Sequence, residues 1–194
     1  MTSQPMRIGP ATFEWGRRTY VMGIVNATPD SFSGDGLLAG GDEVTARAVV
    51  LAHRMVDEGA DLLDVGGEST RPGHARVGAD EEAARVVPVV AALRAALPAM
   101  PISIDTTKSV VAEAAIAAGA NLLNDVWGVG PDDALARVAA RHGVPLVVMH
   151  NRAEPVYTDL VPDVVADLRA ALERAVALGL ERELLLVDPG FGFG

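Results

Sequence analysis

The chain has 194 residues, of which 49% are hydrophobic and 22% are charged, and its formal net charge is −10. The length suits one sizeable core, and the acidic balance argues against a nucleic-acid or anionic-membrane partner. The absence of cysteine excludes disulfides and thiolate metal sites. The opening residues lack the apolar stretch of a signal peptide, and the apolar runs fall well short of the roughly 20 residues of a membrane span. We therefore expect one cytoplasmic domain over residues 1–194.

Residues 1–20 read as a leader and a short β-hairpin, with Gly9 and Pro10 as its turn. A pattern then repeats along the chain: a short apolar run ends in a polar residue, a loop follows, and an alanine-rich amphipathic segment comes next. The runs are continuous rather than alternating, as a parallel sheet covered by helices requires. They lie at residues 20–25, 61–65, 102–104, 121–123, 146–149 and 184–187.

The segments between the runs carry helix signals. Several begin at acidic residues or proline and stop at a glycine. The predicted helices span residues 42–58, 80–96, 108–118, 132–141 and 162–178. Alternating β and α units predict an α/β fold with a parallel sheet.

This sheet could be open and doubly wound, or closed into a barrel. An open nucleotide-binding sheet should carry a glycine-rich phosphate loop after its first strand, whereas residues 26–32 read NATPDSF. A barrel instead spreads polar site residues over many strand ends. We predict a parallel (β/α)8 TIM barrel with an N-terminal hairpin, truncated after the sixth strand because residue 194 falls in a loop.

Polar side chains follow every apolar run of the predicted sheet. In a parallel barrel all strand ends open on one face, so these groups should ring one mouth. Each alone could instead cap a helix or shape a turn. The group comprises Asn26, Asp64 with Glu68, Asp105, Asn124 with Asp125, His150 and Asp188.

The chemistry of these groups favours a polar heterocycle. A carboxylate accepts two hydrogen bonds from a guanidine-like edge, and an asparagine amide both donates and accepts. Asp105, Asn124 and Asp188 thus suit a pterin or a purine. The amide oxygen of Asn26 suits Mg²⁺. Two glycine-flanked loops follow early strands, the first at residues 28–36 and the second at residues 66–73. In the second loop, Arg71 is either a phosphate or carboxylate clamp or a solvated surface residue.

Long stretches of the chain resemble the dihydropteroate synthase family. Residues 23–33 (GIVNATPDSFS) resemble its first signature, and residues 64–73 (DVGGESTRPG) resemble its second. Shorter matches follow in the family's order at residues 103–106, 124–126, 149–150 and 188–194. The resemblance implies a folate-pathway transferase that joins p-aminobenzoate to 6-hydroxymethyl-7,8-dihydropterin pyrophosphate and releases pyrophosphate with the help of Mg²⁺. It also implies that the full-length parent is a homodimer.

Carried over residue by residue, the resemblance implies a role for each matching position. Asp105, Asn124 and Asp188 would hold the pterin, with Met149 beside its ring, and Asn26 would bind the metal. Asp35, Arg71 and Asp105 would be the catalytic groups, although Asp35 stands one position later than the family's usual acid. Thr70 and Arg71 would meet the pyrophosphate or take part in loop closure. The p-aminobenzoate pocket would be shaped by Phe32, Ser69, Pro72 and Phe193.

Two other interpretations remain open. A methyltetrahydrofolate-dependent methyl transferase would share the Asn-Asp and Asp-x-Gly features but should lack the two long loop signatures. A non-catalytic fragment would bind pterin weakly or not at all, since motifs expected beyond residue 194 supply further pterin and phosphate contacts in the family.

Overall fold

The computed structural model describes residues 4–28, 41–68, 77–128 and 133–193. An antiparallel hairpin of β1 (Met6–Ile8) and β2 (Ala11–Phe13) opens the chain. Six parallel strands follow: β3 (Met22–Asn26), β4 (Leu62–Gly66), β5 (Ile102–Asp105), β6 (Leu122–Asp125), β7 (Leu146–Met149) and β8 (Leu185–Asp188). The helices are α1 (Gly41–Asp57), α2 (Ala79–Ala96), α3 (Ser109–Ala118), α4 (Ala134–His142) and α5 (Leu160–Ala177).

The helix boundaries follow local backbone chemistry. Gly119 ends α3 in the left-handed conformation, with φ of 117°, as expected of a C-terminal glycine. The predicted start of α4 at residue 132 lies outside the described residues, and Asp133 itself has φ of 50°, so the described helix begins at Ala134. Helix α5 begins two residues before Pro162. The first turn of a helix tolerates proline because its N–H groups have no partner within the helix.

The order of the strands in the sheet identifies the architecture. The six parallel strands pair in chain order, from β3 to β8 without a reversal. A doubly wound sheet would reverse its order at a switch point, whereas a barrel adds each strand beside the previous one. The predicted barrel-type α/β fold is confirmed, with six parallel strands in the described part of the chain.

The two faces of the sheet pack differently. Side chains such as Val25, Leu63 and Ile104 are fully buried against the helices in one large apolar cluster. The opposite face, which we call the inner face, packs against the hairpin through Leu62 and Leu122. The hairpin therefore covers the inner face near the amino ends of the strands, which leaves the carboxyl ends for the polar residues. Across the described ranges, none of the helices is long and apolar enough to cross a bilayer.

Candidate functional site at the carboxyl ends of the strands

The register of the sheet brings the predicted pterin residues onto the inner face. Asn26 pairs with Gly66, Gly66 with Asp105, and Asp105 with Asn124. Paired residues in neighbouring strands point to the same side of a sheet. Gly66 leaves a gap in this row, since a Cβ atom there would lie 3.6 Å from Asp105 Oδ2 and 3.7 Å from Asn26 Oδ1. An amide oxygen and a carboxylate oxygen thus flank one small space.

Asp188 reaches the same face through the next strands. Asn124 pairs with Val147 in β7, and Met149, two residues later, pairs with Asp188 in β8. The period of two along a strand keeps these side chains on one side. The four residues that were expected to share one mouth, Asn26, Asp105, Asn124 and Asp188, therefore do lie on one face of the sheet. Their contacts with ligands stay predictions.

A buried carboxylate lies one layer below this row. Asp64 is only 4% exposed, and its Oδ2 accepts a hydrogen bond of 3.1 Å from Asn124 Nδ2. Burial raises the pKa of Asp64 because a low-dielectric environment disfavours the charged form. The bond fixes the plane of the Asn124 amide. Asp64 was recognised from the sequence only as a strand-end residue, and its orienting role becomes visible in the structure.

Asp105 has the most perturbed carboxyl group of the site. Burial raises its pKa to about 8, and the nearby negative charges of Asp64, Glu82, Asp125 and Glu68 act in the same direction. At neutral pH the ligand-free group is therefore mostly protonated. A ligand that brings N–H donors would favour its ionised form. Strongly perturbed carboxyl groups in a cluster of this kind are typical of functional sites.

One lysine balances part of this negative charge. Lys108 Nζ contacts carboxylate oxygens of both Glu68 and Glu82. Lys108 was not among the predicted site residues. A signal was nevertheless available, because Lys108 is the single lysine in the chain.

The ends of β7 and β8 are linked by backbone bonds. His150 N donates to Asp188 O at 2.8 Å, and Gly190 N donates to Asp188 Oδ1 at 2.8 Å. The imidazole of His150 is buried and lies 3.2 Å from Asp167 on α5. His150 thus acts as a packing and linking residue in this geometry, while Asp188 combines a turn role with its place on the inner face.

Met149 is 5% exposed at the end of β7. A cavity of about 180 Å³ lies beside it, between the end of β7 and α5, and includes Trp127 and Asn151 in its lining. By register Met149 shares the inner face with Asp188, whereas the other residues that line the cavity come from the ends of β6 and β7 and from α5.

Other predicted residues have different outcomes. Asp125 is buried, and its Oδ1 accepts from Trp127 N at 3.1 Å, so this strand-end residue shapes a turn, as the alternative interpretation allowed. Phe193 is 38% exposed. The remaining predicted positions lie outside the described residues: Phe32, Asp35, Ser69, Thr70, Arg71 and Pro72.

The donor set at the strand ends suits a hard cation only in part. Asn26 and Asp105 supply oxygen atoms, the ligand type that Mg²⁺ prefers. Among the residues described, no group of three or more His, Cys, Asp or Glu side chains could hold a metal ion. Mg²⁺ commonly uses one or two protein ligands together with water and substrate phosphate. Asn26 and Asp105 therefore fit a Mg²⁺ ion that also binds substrate phosphate.

Comparison with known proteins places the chain among pterin enzymes. The family model for pterin binding enzymes matches residues 22–194. Dihydropteroate synthase of Clostridium beijerinckii is 48% identical over 189 residues, which cover 97% of this chain and 68% of that protein. Dihydropteroate synthase of Bacillus subtilis is 44% identical over 191 residues, which cover 98% and 65%. The chain thus spans about two thirds of the length of these curated relatives.

Solved structures give the same result. The structure of Xanthomonas albilineans dihydropteroate synthase with 4-aminobenzoic acid has a TM-score of 0.89 and 42% identity, and the match covers 100% of this chain and 68% of that one. The Burkholderia cenocepacia dihydropteroate synthase complexed with 7,8-dihydropteroate has a TM-score of 0.83 and 42% identity, with 100% and 66% covered. The chain therefore belongs to the pterin-binding enzyme family and, within it, to the dihydropteroate synthases.

Proposed function

We propose that the protein is a dihydropteroate synthase that condenses p-aminobenzoate with 6-hydroxymethyl-7,8-dihydropterin pyrophosphate in folate biosynthesis. The observation that carries this proposal is the inner-face row of Asn26, Asp105 and Asn124, with Asp64 beneath it, in a chain of this family. The ligands named for the related structures, 4-aminobenzoic acid and 7,8-dihydropteroate, are the arylamine substrate and the product of this reaction.

In this proposal the pterin ring binds to the carboxyl and amide groups of the row. The Asp105 carboxylate accepts two N–H groups from the guanidine-like edge of the pterin. Asn124, held by its bond to Asp64, presents an amide of fixed orientation. Asp188 supplies a second carboxylate on the same face, and Met149 packs beside the ring. Each polar group then satisfies a ligand edge that would otherwise lose its hydrogen bonds to water.

The reaction requires little covalent chemistry from the protein. The amine nitrogen attacks the methylene carbon of the pterin, the carbon–oxygen bond to pyrophosphate breaks, and the nitrogen then loses a proton. The amine is nucleophilic by itself, so positioning and exclusion of water supply much of the acceleration. Negative charge of Asp105 at the ring favours the positive charge that the methylene carbon shares with the conjugated pterin ring.

The leaving pyrophosphate needs positive charge at this acidic site. We propose that Asn26 holds Mg²⁺ through its amide oxygen, and that Arg71 contacts the pyrophosphate. When bound, the ion neutralises charge on the leaving group. Thr70 is proposed to assist Arg71. Asp35 is the proposed carboxylate of the first loop.

The arylamine is proposed to bind among side chains from both loops and the chain's last strand end. These side chains are Phe32, Ser69, Pro72 and Phe193. We further propose that the protein acts in the cytoplasm and that the full-length parent is a homodimer. Fractionation of cells and light scattering of the purified protein would test these two points.

A condensation assay tests the proposed function. Protein expressed from the complete reading frame is mixed with p-aminobenzoate, the dihydropterin pyrophosphate and Mg²⁺, and dihydropteroate is measured. We expect product formation that depends on Mg²⁺ and is lost in Asp105→Ala, because the donor pair of the pterin loses its acceptor. Arg47→Met, which removes an exposed ion pair on α1, is the control. Absence of product from correctly folded wild-type protein would refute the proposal.

A further inference from the structure

The second glycine-flanked loop begins at a densely packed point. A Cβ atom on Gly67 would lie 2.6 Å from Val86 Cγ1 and 3.0 Å from Glu82 Cγ, both on α2. Arg85 Nη1, from the same helix, donates to Gly67 O at 2.9 Å. The backbone immediately after β4 is thus pressed against the first turns of α2.

The next residue, Glu68, forms an ion pair. The Glu68 carboxylate contacts Lys108 Nζ, and the same ammonium contacts the carboxylate of Glu82. Glu82 is 1% exposed, while Glu68 and Lys108 are 23% and 24% exposed. A buried carboxylate needs a cation partner to avoid a large desolvation cost. Lys108 therefore joins a buried charge on α2 to the residue that precedes the segment 69–76.

The backbone of Lys108 is linked to the pterin row by hydrogen bonds. Lys108 N donates to Thr106 Oγ1 at 3.2 Å, and Thr106 N donates to Asn124 O at 3.3 Å. Thr106 directly follows Asp105 in the chain. A short series of bonds thus connects the strand ends of Asp105 and Asn124 to Glu68.

The choice of lysine fits this position. Lys108 is the single lysine of the protein, which otherwise has 15 arginines among its lysine and arginine residues. A compact ammonium offers three donors that rotate to meet two carboxylates, whereas guanidinium presents a planar fork. Burial acts to lower the pKa of Lys108, but the hydrogen bonds and charges of Glu68 and Glu82 outweigh it and raise the pKa. The side chain therefore stays protonated at neutral pH.

We propose that Lys108, through Glu68, is a positioning residue that fixes the start of the second loop beside the pterin row and thereby sets the affinity for the arylamine. The arylamine half of this inference rests on the proposed function, because Ser69 and Pro72, two of the four arylamine residues of that proposal, lie one and four positions after Glu68 in the chain. We call the Lys108–Glu68 ion pair the tie. The pterin residues lie on the strands, so they should keep their positions when this ion pair is removed.

Glu68→Met is the decisive variant. It removes the loop side of the tie and leaves the Lys108–Glu82 pair intact, so the buried carboxylate stays neutralised. Lys108→Met cuts both contacts and exposes the fold to the cost of an unpaired Glu82. Arg47→Met is the matched control, since it removes the exposed Arg47–Glu43 pair on α1.

The measurements separate the two substrates. In protein from the complete reading frame, we expect Glu68→Met to raise the KM for p-aminobenzoate about tenfold, which corresponds to about 1.4 kcal/mol. The dissociation constant of 6-hydroxymethylpterin, measured by calorimetry, should change less than about twofold, as expected for a site on separate elements. Hydrogen–deuterium exchange at the amides of residues 66–68 should become faster in Glu68→Met and stay unchanged in Arg47→Met.

Several results would overturn the inference. An unchanged KM for p-aminobenzoate in folded Glu68→Met would do so, and so would an equal loss of pterin affinity, which would indicate a general structural role. If the wild-type protein shows no condensation, the proposed function and the arylamine half fail together. The exchange measurement then tests separately whether the Lys108–Glu68 ion pair fixes the backbone of residues 66–68, and unchanged exchange there in Glu68→Met refutes this.

Discussion

Replacing Asp105 with asparagine should increase the stability of the folded protein and weaken pterin binding. The folded pKa of about 8 compares with 3.8 for an ordinary aspartate. Between these two values the folded state holds a proton that the unfolded state releases. The free energy of unfolding therefore falls as pH rises through this window, and the full penalty is present above about pH 8.

The size of the effect follows from the shift. At 1.36 kcal/mol for each pKa unit, the penalty at pH 7 has an upper bound of about 4 kcal/mol. Asparagine keeps a polar amide in the same place, and desolvation of that amide retains part of the cost. We therefore expect Asp105→Asn to stabilise the folded protein by about 1–3 kcal/mol at pH 7 and by little below about pH 4.

Pterin binding should favour the wild-type aspartate over asparagine, in contrast to stability. The N–H donors of a pterin bind the ionised carboxylate. Below pH 8, the pterin affinity of the wild-type protein should therefore rise by up to about tenfold for each unit by which the pH increases. Asp105→Asn should bind pterin weakly and without this pH dependence.

Two assays on protein from the complete reading frame test this reasoning. Urea unfolding at about pH 4, 6 and 8 gives the free energy of unfolding, and calorimetry with 6-hydroxymethylpterin between about pH 5.5 and 7.5 gives the affinity. A stability difference between wild type and Asp105→Asn that does not change with pH would refute the raised pKa. Pterin affinity that is independent of pH in the wild type would refute the proposed role of the carboxylate.

Three further predictions concern other parts of the molecule. Asn124→Leu removes the donor to buried Asp64, so we expect pterin affinity to fall at least about tenfold and stability to fall by about 1–3 kcal/mol, measured by calorimetry and urea unfolding. In Gly190→Ala the new Cβ would lie 2.1 Å from a backbone carbonyl oxygen at φ of 72°; chemical denaturation should show a loss of about 2–4 kcal/mol, and an unchanged midpoint would contradict the strain. The 194-residue chain on its own exposes Ile24 (58%) on edge strand β3 and Phe191 (92%) after edge strand β8; we expect light scattering to show self-association, whereas a sharp unfolding transition of a monomer would contradict it.

Much of the fold could be predicted from the sequence because its signals are local. A continuous apolar run such as residues 146–149 indicates a strand that is covered on both faces. A glycine such as Gly119 adopts a left-handed backbone at a helix end without help from distant residues. The parallel arrangement then follows from alternation, and it puts Asn26, Asp105 and Asn124 at the same edge of the sheet.

The pairing between distant side chains could not be predicted in this way. Asn124 bonds to Asp64, 60 residues earlier in the chain, and Lys108 contacts Glu68, 40 residues away. Asp125 carries the same strand-end signal as its neighbour, yet it shapes a turn on the opposite side. Local pattern shows that a strand ends in a polar residue, but the register between strands decides which face each side chain takes and which partner it meets.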